Sequence, residues 1–225
     1  MTATDTLMTK NGHELHIGFL GHGSLRFDCL GCTLYIDPVA MFADYTDAPK
    51  ADLILVTHHH DDHCDPALIK QLLKPDGEVI STETVVGQLG YGTPMHNGEV
   101  RRIDDLLTIE AIPAYNTTAG RDCFHPHTGR DNGYLLTLDG VRIYVSGDSE
   151  PTPEMLALRD LDVVFLPVNQ PYTMTVDQAV ATVRALHPAL FYPYHTGQTD
   201  FVTDLEQLAD RLNGSGTEVR IRPMA

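Results

Sequence analysis

Between His58 and His63 the chain places four imidazoles and two carboxylates in six consecutive positions, His-His-His-Asp-Asp-His. Neutral imidazole and carboxylate oxygen suit zinc and similar divalent ions, and such close spacing lets one loop supply several ligands. The cluster directly follows Leu53-Ile54-Leu55-Val56, an apolar run that reads as a buried strand. It therefore sits on the loop leaving the strand's C-terminal end, where open α/β sheets place their ligands. Alternation along an extended chain sends His58 and His60 to one side and His59 to the other. Asp65-Pro66 then opens a helix, a cap residue followed by proline at the first position. A surface patch or a fragment of an affinity tag is the bland reading of such a cluster. Its place between a strand and a capped helix argues against both.

Further candidates sit just past other expected strands. Asp148 follows Val141–Val145 through Ser146-Gly147, and the glycine allows its carboxylate a close approach to an ion. His195 follows Phe191-Tyr192-Pro193-Tyr194. Taken alone, an aspartate in Gly-Asp-Ser is an ordinary turn residue.

The elements that must position these groups alternate along the chain. Strands are expected at 15–20, 24–28, 32–37, 53–57 and 78–80, with helices at 66–74 and 83–89 and a turn at Pro75-Asp76-Gly77. Further strands fall near 98–103, 106–112, 134–138 and 141–145, the last two joined by the strong turn Asp139-Gly140. The last third reads as helix 152–158, strand 163–166, helix 175–186, strand 190–192, helix 201–212 and strand 218–222. Thr175 with Gln178 fits a capping box. Residues 38–50 and 116–132 read as loops, and a loop as long as the second is usually functional. Strand-rich segments with interspersed helices predict an α/β (α+β) chain: two sheets packed face to face with helices outside.

Length and composition narrow the function. A chain of 225 residues fits a single domain, 1–225, with residues 1–13 expected as a flexible tail. Nothing in it is apolar for long enough to span a bilayer, and Met1–Asn11 lacks the character of a signal peptide, so a cytoplasmic location is the default. A formal charge of −16 argues against nucleic acid or an anionic membrane as partner but does not choose a substrate; the expected partners are a small-molecule substrate and a second copy in a homo-oligomer. Cys29 and Cys32 flank the expected hairpin turn Leu30-Gly31, without the second pair that a four-thiolate zinc site needs.

Read as His-x-His-x-Asp-His, with Asp148 and His195 in order downstream, the chain resembles the metallo-β-lactamase superfamily from Ile17 to Asp200. Gly21-His22-Gly23-Ser24, Tyr144-Val145-Ser146-Gly147-Asp148, Phe165-Leu166-Pro167-Val168, Asn169-Gln170-Pro171-Tyr172-Thr173-Met174 and Tyr192-Pro193-Tyr194-His195 look most like one branch. That branch holds L-ascorbate-6-phosphate lactonase and many metal-dependent hydrolases. The resemblance implies an αββα sandwich of two mixed sheets, with the site at one edge. It also implies up to two divalent ions, zinc first and manganese second. His58 and His60 would hold one ion, and Asp62, His63 and His195 the other, with Asp148 bridging. Asp37 would order the ligand loop. Asp62 and Asp148 become the catalytic carboxylates of a hydrolase in which a metal-bound hydroxide attacks an ester, lactone, amide or phosphodiester. A metal- and ligand-binding protein with little turnover is the alternative.

One departure stands out. The superfamily commonly offers a third histidine to the first ion after a mid-chain strand, and the matching place here carries Asn116. Asparagine is a poorer zinc donor than imidazole. Asn116, His125 and His127 are all candidates to complete the site, with His125 favoured. His22, Asn116, Tyr172 and Met174 are the expected substrate contacts.

Overall fold

The computed structural model describes residues 3–197 and 201–224. Asp200, the far end of the resemblance, lies outside them. Two seven-stranded sheets carry the fold. The first runs in chain order through β1 (Ala3–Met8), β2 (Glu14–Phe19), β3 (Leu25–Cys29), β4 (Cys32–Ile36), β5 (Ala51–Val56), β6 (Leu73–Ser81) and β7 (Thr93–Pro94). The second is built from β8 (Val100–Arg102), β9 (Leu107–Pro113), β10 (Asn132–Leu138), β11 (Val141–Val145), β12 (Val163–Pro167), β13 (Leu190–Tyr194) and β14 (Glu218–Val219). In each sheet the first four strands pair antiparallel. The strands that follow then add on in parallel. Parallel neighbours need a crossover between them. These crossovers carry α1 (Pro66–Leu72) and α2 (Glu83–Leu89) in the first half, and α3 (Pro153–Leu156), α4 (Val176–Leu186) and α5 (Leu205–Leu212) in the second.

Three apolar clusters fill the spaces between layers. One lies between the sheets and joins Ile17, Phe27 and Leu55 of the first to Tyr134, Phe165 and Tyr192 of the second. Phe165 and Tyr192 stack there, with centroids 5.0 Å apart. A second cluster packs Leu166 and Phe191 beneath Val180, Val183 and Leu208. The third packs Ile54 and Val56 beneath Leu68, Ile69 and Val85. The central strands β5, β12 and β13 are buried on both faces, which is why each reads as a continuous apolar run. The result is the expected αββα sandwich.

Several expectations need correction. Residues 3–8 of the expected tail form β1, in register from Ala3↔Phe19 to Met8↔Glu14. Its alternating half-buried and exposed positions mark an edge strand with too few apolar residues to stand out. Pro75-Asp76-Gly77 lies inside β6, at the irregular pairing between Ala51 and Leu53. A Cβ at Gly77 would come 2.7 Å from the Ala51 carbonyl oxygen, so this glycine admits the neighbouring strand and is not a turn. Helix α5 starts at Leu205, capped by Asp204, and β14 ends at Val219. The α4 capping box forms as expected: Gln178 N donates to Thr175 Oγ1 at 3.1 Å, and Thr175 N donates to Gln178 Oε1 at 2.8 Å. The Leu30-Gly31 turn has φ of 52° and 81° and sets Cys29 opposite Cys32 as free thiols. Among the described residues no helix is long and apolar enough to cross a membrane.

Candidate metal centre

The histidine loop folds back on itself directly after β5. The backbone amides of His63 and Cys64 both donate to the His60 carbonyl at 2.9 Å, and Asp65 then caps α1 by accepting from Leu68 N at 3.0 Å. This turn delivers His63 to Asp37, a fully buried carboxylate at the end of β4. Asp37 accepts from Thr57 N at 2.7 Å, from Thr57 Oγ1 at 2.6 Å and from His63 Nδ1 at 2.8 Å. Since the Thr57 hydroxyl proton goes to Asp37, its oxygen accepts from His58 Nδ1 at 3.0 Å. Both rings are thereby held through Nδ1 with Nε2 turned inward, the atom that would face an ion. Asp37 thus orders the loop, as expected. A Cβ at Gly23 would sit 2.8 Å from His63 Cε1, so only glycine fits beside that ring.

The scattered candidates converge on the same point. The donor atoms of His58, His60 and His125 lie within 4.8 Å of one another, as do those of His22, Asp62, His63 and His195, and those of His58, His63 and Asp148. Asp148 stands between the first two groups. Its Oδ1 is 3.3 Å from His63 Nε2, and its Oδ2 is 3.3 Å from His195 Nε2 and 3.5 Å from His125 Nε2. On the outer side, Asp62 Oδ2 lies 3.0 Å from His22 Nε2 and 3.8 Å from His195 Nε2.

Donor chemistry shows that this arrangement fits divalent ions. His63 Nε2, His195 Nε2, both ring nitrogens of His125 and Asp148 Oδ1 are buried without a hydrogen-bond partner. Buried polar atoms rarely go unpaired, because each would forfeit its hydration for nothing. A cation coordinated by them removes that penalty.

Charge points the same way. Burial lowers His58 well below the usual imidazole value and also lowers His60 and His125, so all three are neutral at pH 7, the ligating form. Burial likewise takes His22 down to about 4. Burial opposes ionisation of Asp148, yet the His195 and His63 charges hold it well below the carboxylate range. Burial also opposes a charge on His195 and His63; Asp148 outweighs it, lifting His195 to about 9 and His63 far above its usual value. Two protons thus sit on the rings beside one carboxylate, where ion binding would displace them.

Above this floor opens a cavity of about 240 Å³, lined by His60, Asp62, His125, Asp148, His195, Phe124 and Tyr172. The structure brings together the expected set His58, His60, Asp62, His63, Asp148, His195 and His125. His127 turns away and stacks on Tyr115, with centroids 3.9 Å apart. Of the expected substrate contacts, Tyr172 lines the cavity, and His22 belongs instead to the ion-capable group. Met174 is fully buried in the apolar layer under α4, because the chain after Thr173 already leads into that helix.

Asn116 works as a brace. Its Nδ2 donates to the carbonyls of Arg121 at 3.0 Å and Tyr172 at 2.8 Å, and its backbone N donates to the His125 carbonyl at 2.8 Å. Oδ1 is buried without a hydrogen-bond partner.

Sequence reasoning missed Glu150 and Phe124. Fully buried Glu150 accepts from Thr117 N and Thr118 N and pairs with Arg121 at 3.0 Å, pinning the start of the long loop. A carboxylate two residues past Asp148 and one aromatic ring in a polar loop were the available signals.

Known proteins match this architecture along most of the chain. Residues 16–195 match the family described as the Beta-lactamase superfamily domain. Curated relatives described as metal-dependent hydrolases include one from Geobacillus sp. (strain WCH70), 28% identical over 80% of this chain and 85% of its own. Another, from Thermus thermophilus, is 27% identical over 91% and 94%. A crystal structure from Parabacteroides distasonis, provisionally described as a metal-dependent hydrolase, is 48% identical across the whole of both chains, with a TM-score of 0.95. A metallo hydrolase from the archaeon Ignicoccus hospitalis shares the fold at 23% identity and a TM-score of 0.78. With residues 16–195 matching that family and its paired mixed sheets in place, the chain belongs to the beta-lactamase superfamily and to the metal-dependent hydrolases within it.

Proposed function

We propose that the chain uses up to two divalent ions, zinc or manganese, to hydrolyse an ester, lactone, amide or phosphodiester bond in a small molecule. The carrying observation is the set of buried, unpartnered donor atoms that converge beneath a single cavity. His58, His60 and His125 would hold one ion and Asp62, His63 and His195 the other, with His22 beside Asp62 and Asp148 shared between them. A divalent ion so held supplies a Lewis acid for the substrate oxygen and lowers the pKa of water towards neutrality.

The chain's own groups do the remaining work. Asp37 and Thr57 fix the His63 and His58 rings, so the donor atoms need no reorganisation. Asp62 is the carboxylate placed to accept a proton at Oδ2: burial works against its charge, but hydrogen bonds from His195 and His22 keep it ionised. Its side chain is 40% exposed, so the proton has a route to solvent. His125 and His195 line the cavity from the second half of the chain.

Elemental analysis of protein purified without chelator, followed by an ester, lactone, amide and phosphodiester panel, tests the reading. One to two equivalents of metal with turnover on the panel is the expected result. Less than a tenth of an equivalent after attempted reconstitution would exclude the metal site. Full metal loading with no turnover would leave a metal- and ligand-binding protein.

A further inference from the structure

The cavity above the ion-capable floor has one wall of distinct chemistry. Phe124, from the long loop, and Tyr172, from the turn before α4, meet edge to face with centroids 4.9 Å apart and an interplanar angle of 80°. Both rings line the cavity, and Tyr172 is 39% exposed. The wall is braced from behind. Asn116 Nδ2 holds the Tyr172 carbonyl, and Arg130 Nη2 holds the Phe124 carbonyl at 3.3 Å.

No lysine or arginine is among the described residues lining the cavity. The two nearby guanidinium groups are already engaged: Arg121 binds Glu150 and the Thr173 carbonyl, and Arg130 binds both carboxylate oxygens of Asp131. The chain carries a net charge of −16, so an anionic ligand meets a repulsive field with no cationic clamp beyond the ions themselves. A space of about 240 Å³ also falls below the roughly 300–1,000 Å³ of pockets for drug-sized ligands.

We propose that the cavity selects an uncharged carbonyl substrate, a small ester, lactone or amide whose non-reacting part is a flat apolar ring packed on Phe124 and Tyr172, and disfavours phosphorylated compounds. This rests on the hydrolase reading and narrows it. In the reaction the acyl C–O or C–N bond breaks. Water gives its hydroxyl to the acyl carbon and its remaining proton to the leaving oxygen or nitrogen, forming an acid and an alcohol or amine. The ring remains on the wall throughout. Edge and face contacts of this kind are worth about 0.5–1.5 kcal/mol beyond area burial, which converts to roughly 2- to 10-fold in a selectivity ratio.

The test uses the full chain loaded with zinc and three acetate esters of closely matched leaving groups: benzyl, butyl, and benzyl bearing a ring phosphate. The parent should favour benzyl over butyl acetate by about 2- to 10-fold in kcat/KM and should turn over the phosphate-bearing ester slowest. Phe124→Leu and Tyr172→Leu keep apolar volume but remove the rings, so each should bring the benzyl-to-butyl ratio towards one. An unchanged ratio in both variants, or fastest turnover of the phosphate-bearing ester, overturns the proposal. If none of the three esters is cleaved, the hydrolase reading is decided separately by the wider panel of lactones, amides and phosphodiesters. The wall is then read by the nuclear magnetic resonance line broadening of benzyl alcohol against butanol. Stronger binding of benzyl alcohol that is lost in Tyr172→Leu supports the proposal, and equal binding overturns it.

Discussion

The two halves of the molecule repeat one strand plan and use it for different work. In each, four antiparallel strands are followed by parallel additions. The fourth strand leads in both to an aspartate, Asp37 after β4 and Asp148 after β11. The first aspartate spends its oxygens on Thr57 and His63. The second keeps its oxygens within 3.5 Å of three histidines and leaves Oδ1 unpartnered. The connection from the second to the third strand differs as much: residues 20–24 in the first half, residues 114–131 in the second. The short turn presents His22 under strain, at φ of 51°. The long one carries His125 and Phe124 and needs Glu150, Arg121 and Asn116 to hold it in place. Topology fixes where a side chain can reach the site, and the bonding around each carboxylate decides whether its oxygens are spent on neighbouring side chains or left open towards the histidine cluster.

Substituting the two aspartates is the strongest way to break this comparison. Asp148→Asn keeps the volume and removes the charge shared by both ion positions. Removing one partner from a buried charged set costs about 3–5 kcal/mol. Metal stoichiometry should therefore collapse and hydrolysis fall by roughly a hundredfold or more, with far-ultraviolet circular dichroism near the parent's. A fully active Asp148→Asn protein would contradict the shared role. Asp37→Asn should act one step removed, through the His63 ring and Thr57. Losing such an outer partner typically costs about 10- to 100-fold in metal affinity. Chelator competition should show weakened but persistent binding, and a loss equal to that of Asp148→Asn would erase the distinction between the halves.

How much of this was legible in the sequence follows the same division. The first half gathers its candidate ligands on one loop directly after an apolar strand, so His58, His60, Asp62 and His63 declare themselves as candidates by spacing alone. In the second half each ligand stands singly. Asp148 in Gly-Asp-Ser and His195 after Tyr194 were legible only through the order of a known family. Strands buried on both faces announced themselves as unbroken apolar runs. By contrast, β1 is half-exposed throughout and β7 is Thr93–Pro94 alone, too little pattern for any reading. Met174 was misplaced for a related reason. Its neighbour Tyr172 faces the cavity, but the chain turns into α4 within three residues, and sequence adjacency says nothing about that turn. Asn116 was singled out as a candidate ligand or substrate contact, but its amide nitrogen braces two carbonyls, that of Arg121 in its own loop and that of Tyr172 far along the chain, and the second partner is invisible in the sequence.

The long loop offers a sharper and smaller test. His125 and His127 are two residues apart, yet only His125 has donor atoms near His58 and His60. His125→Ala should weaken one metal position by about tenfold or more while leaving the other, and His127→Ala should leave both unchanged. Titration with a competing chelator separates the two variants. Equal affinities in parent and His125→Ala would remove this half's loop from the centre.

The smallest expected effect lies where the halves are fastened at the end opposite the site. Asp139, in the turn between β10 and β11, accepts from Thr9 Oγ1 at 2.5 Å, Asn11 Nδ2 at 2.6 Å and His13 Nδ1 at 2.6 Å, all from the turn between β1 and β2. The Asn11, Thr9 and His13 bonds bring this carboxyl down to about 2 from an ordinary 3.8. A carboxyl depressed in the folded state stabilises it above the unfolded value and loses that contribution as pH falls through the folded value. The seam should therefore hold fully above pH 4 and loosen between pH 4 and pH 2. Thermal melts should show Asp139→Asn less stable than the parent at pH 6 by a few degrees, with the gap closing towards pH 2. Metal affinity at neutral pH should not move, since the seam and the site sit at opposite ends of the same strands. A gap that is constant with pH would mean that the turn is held by its shape, through Asp139 and Gly140 at φ of 47° and 84°, and not by the charge on Asp139.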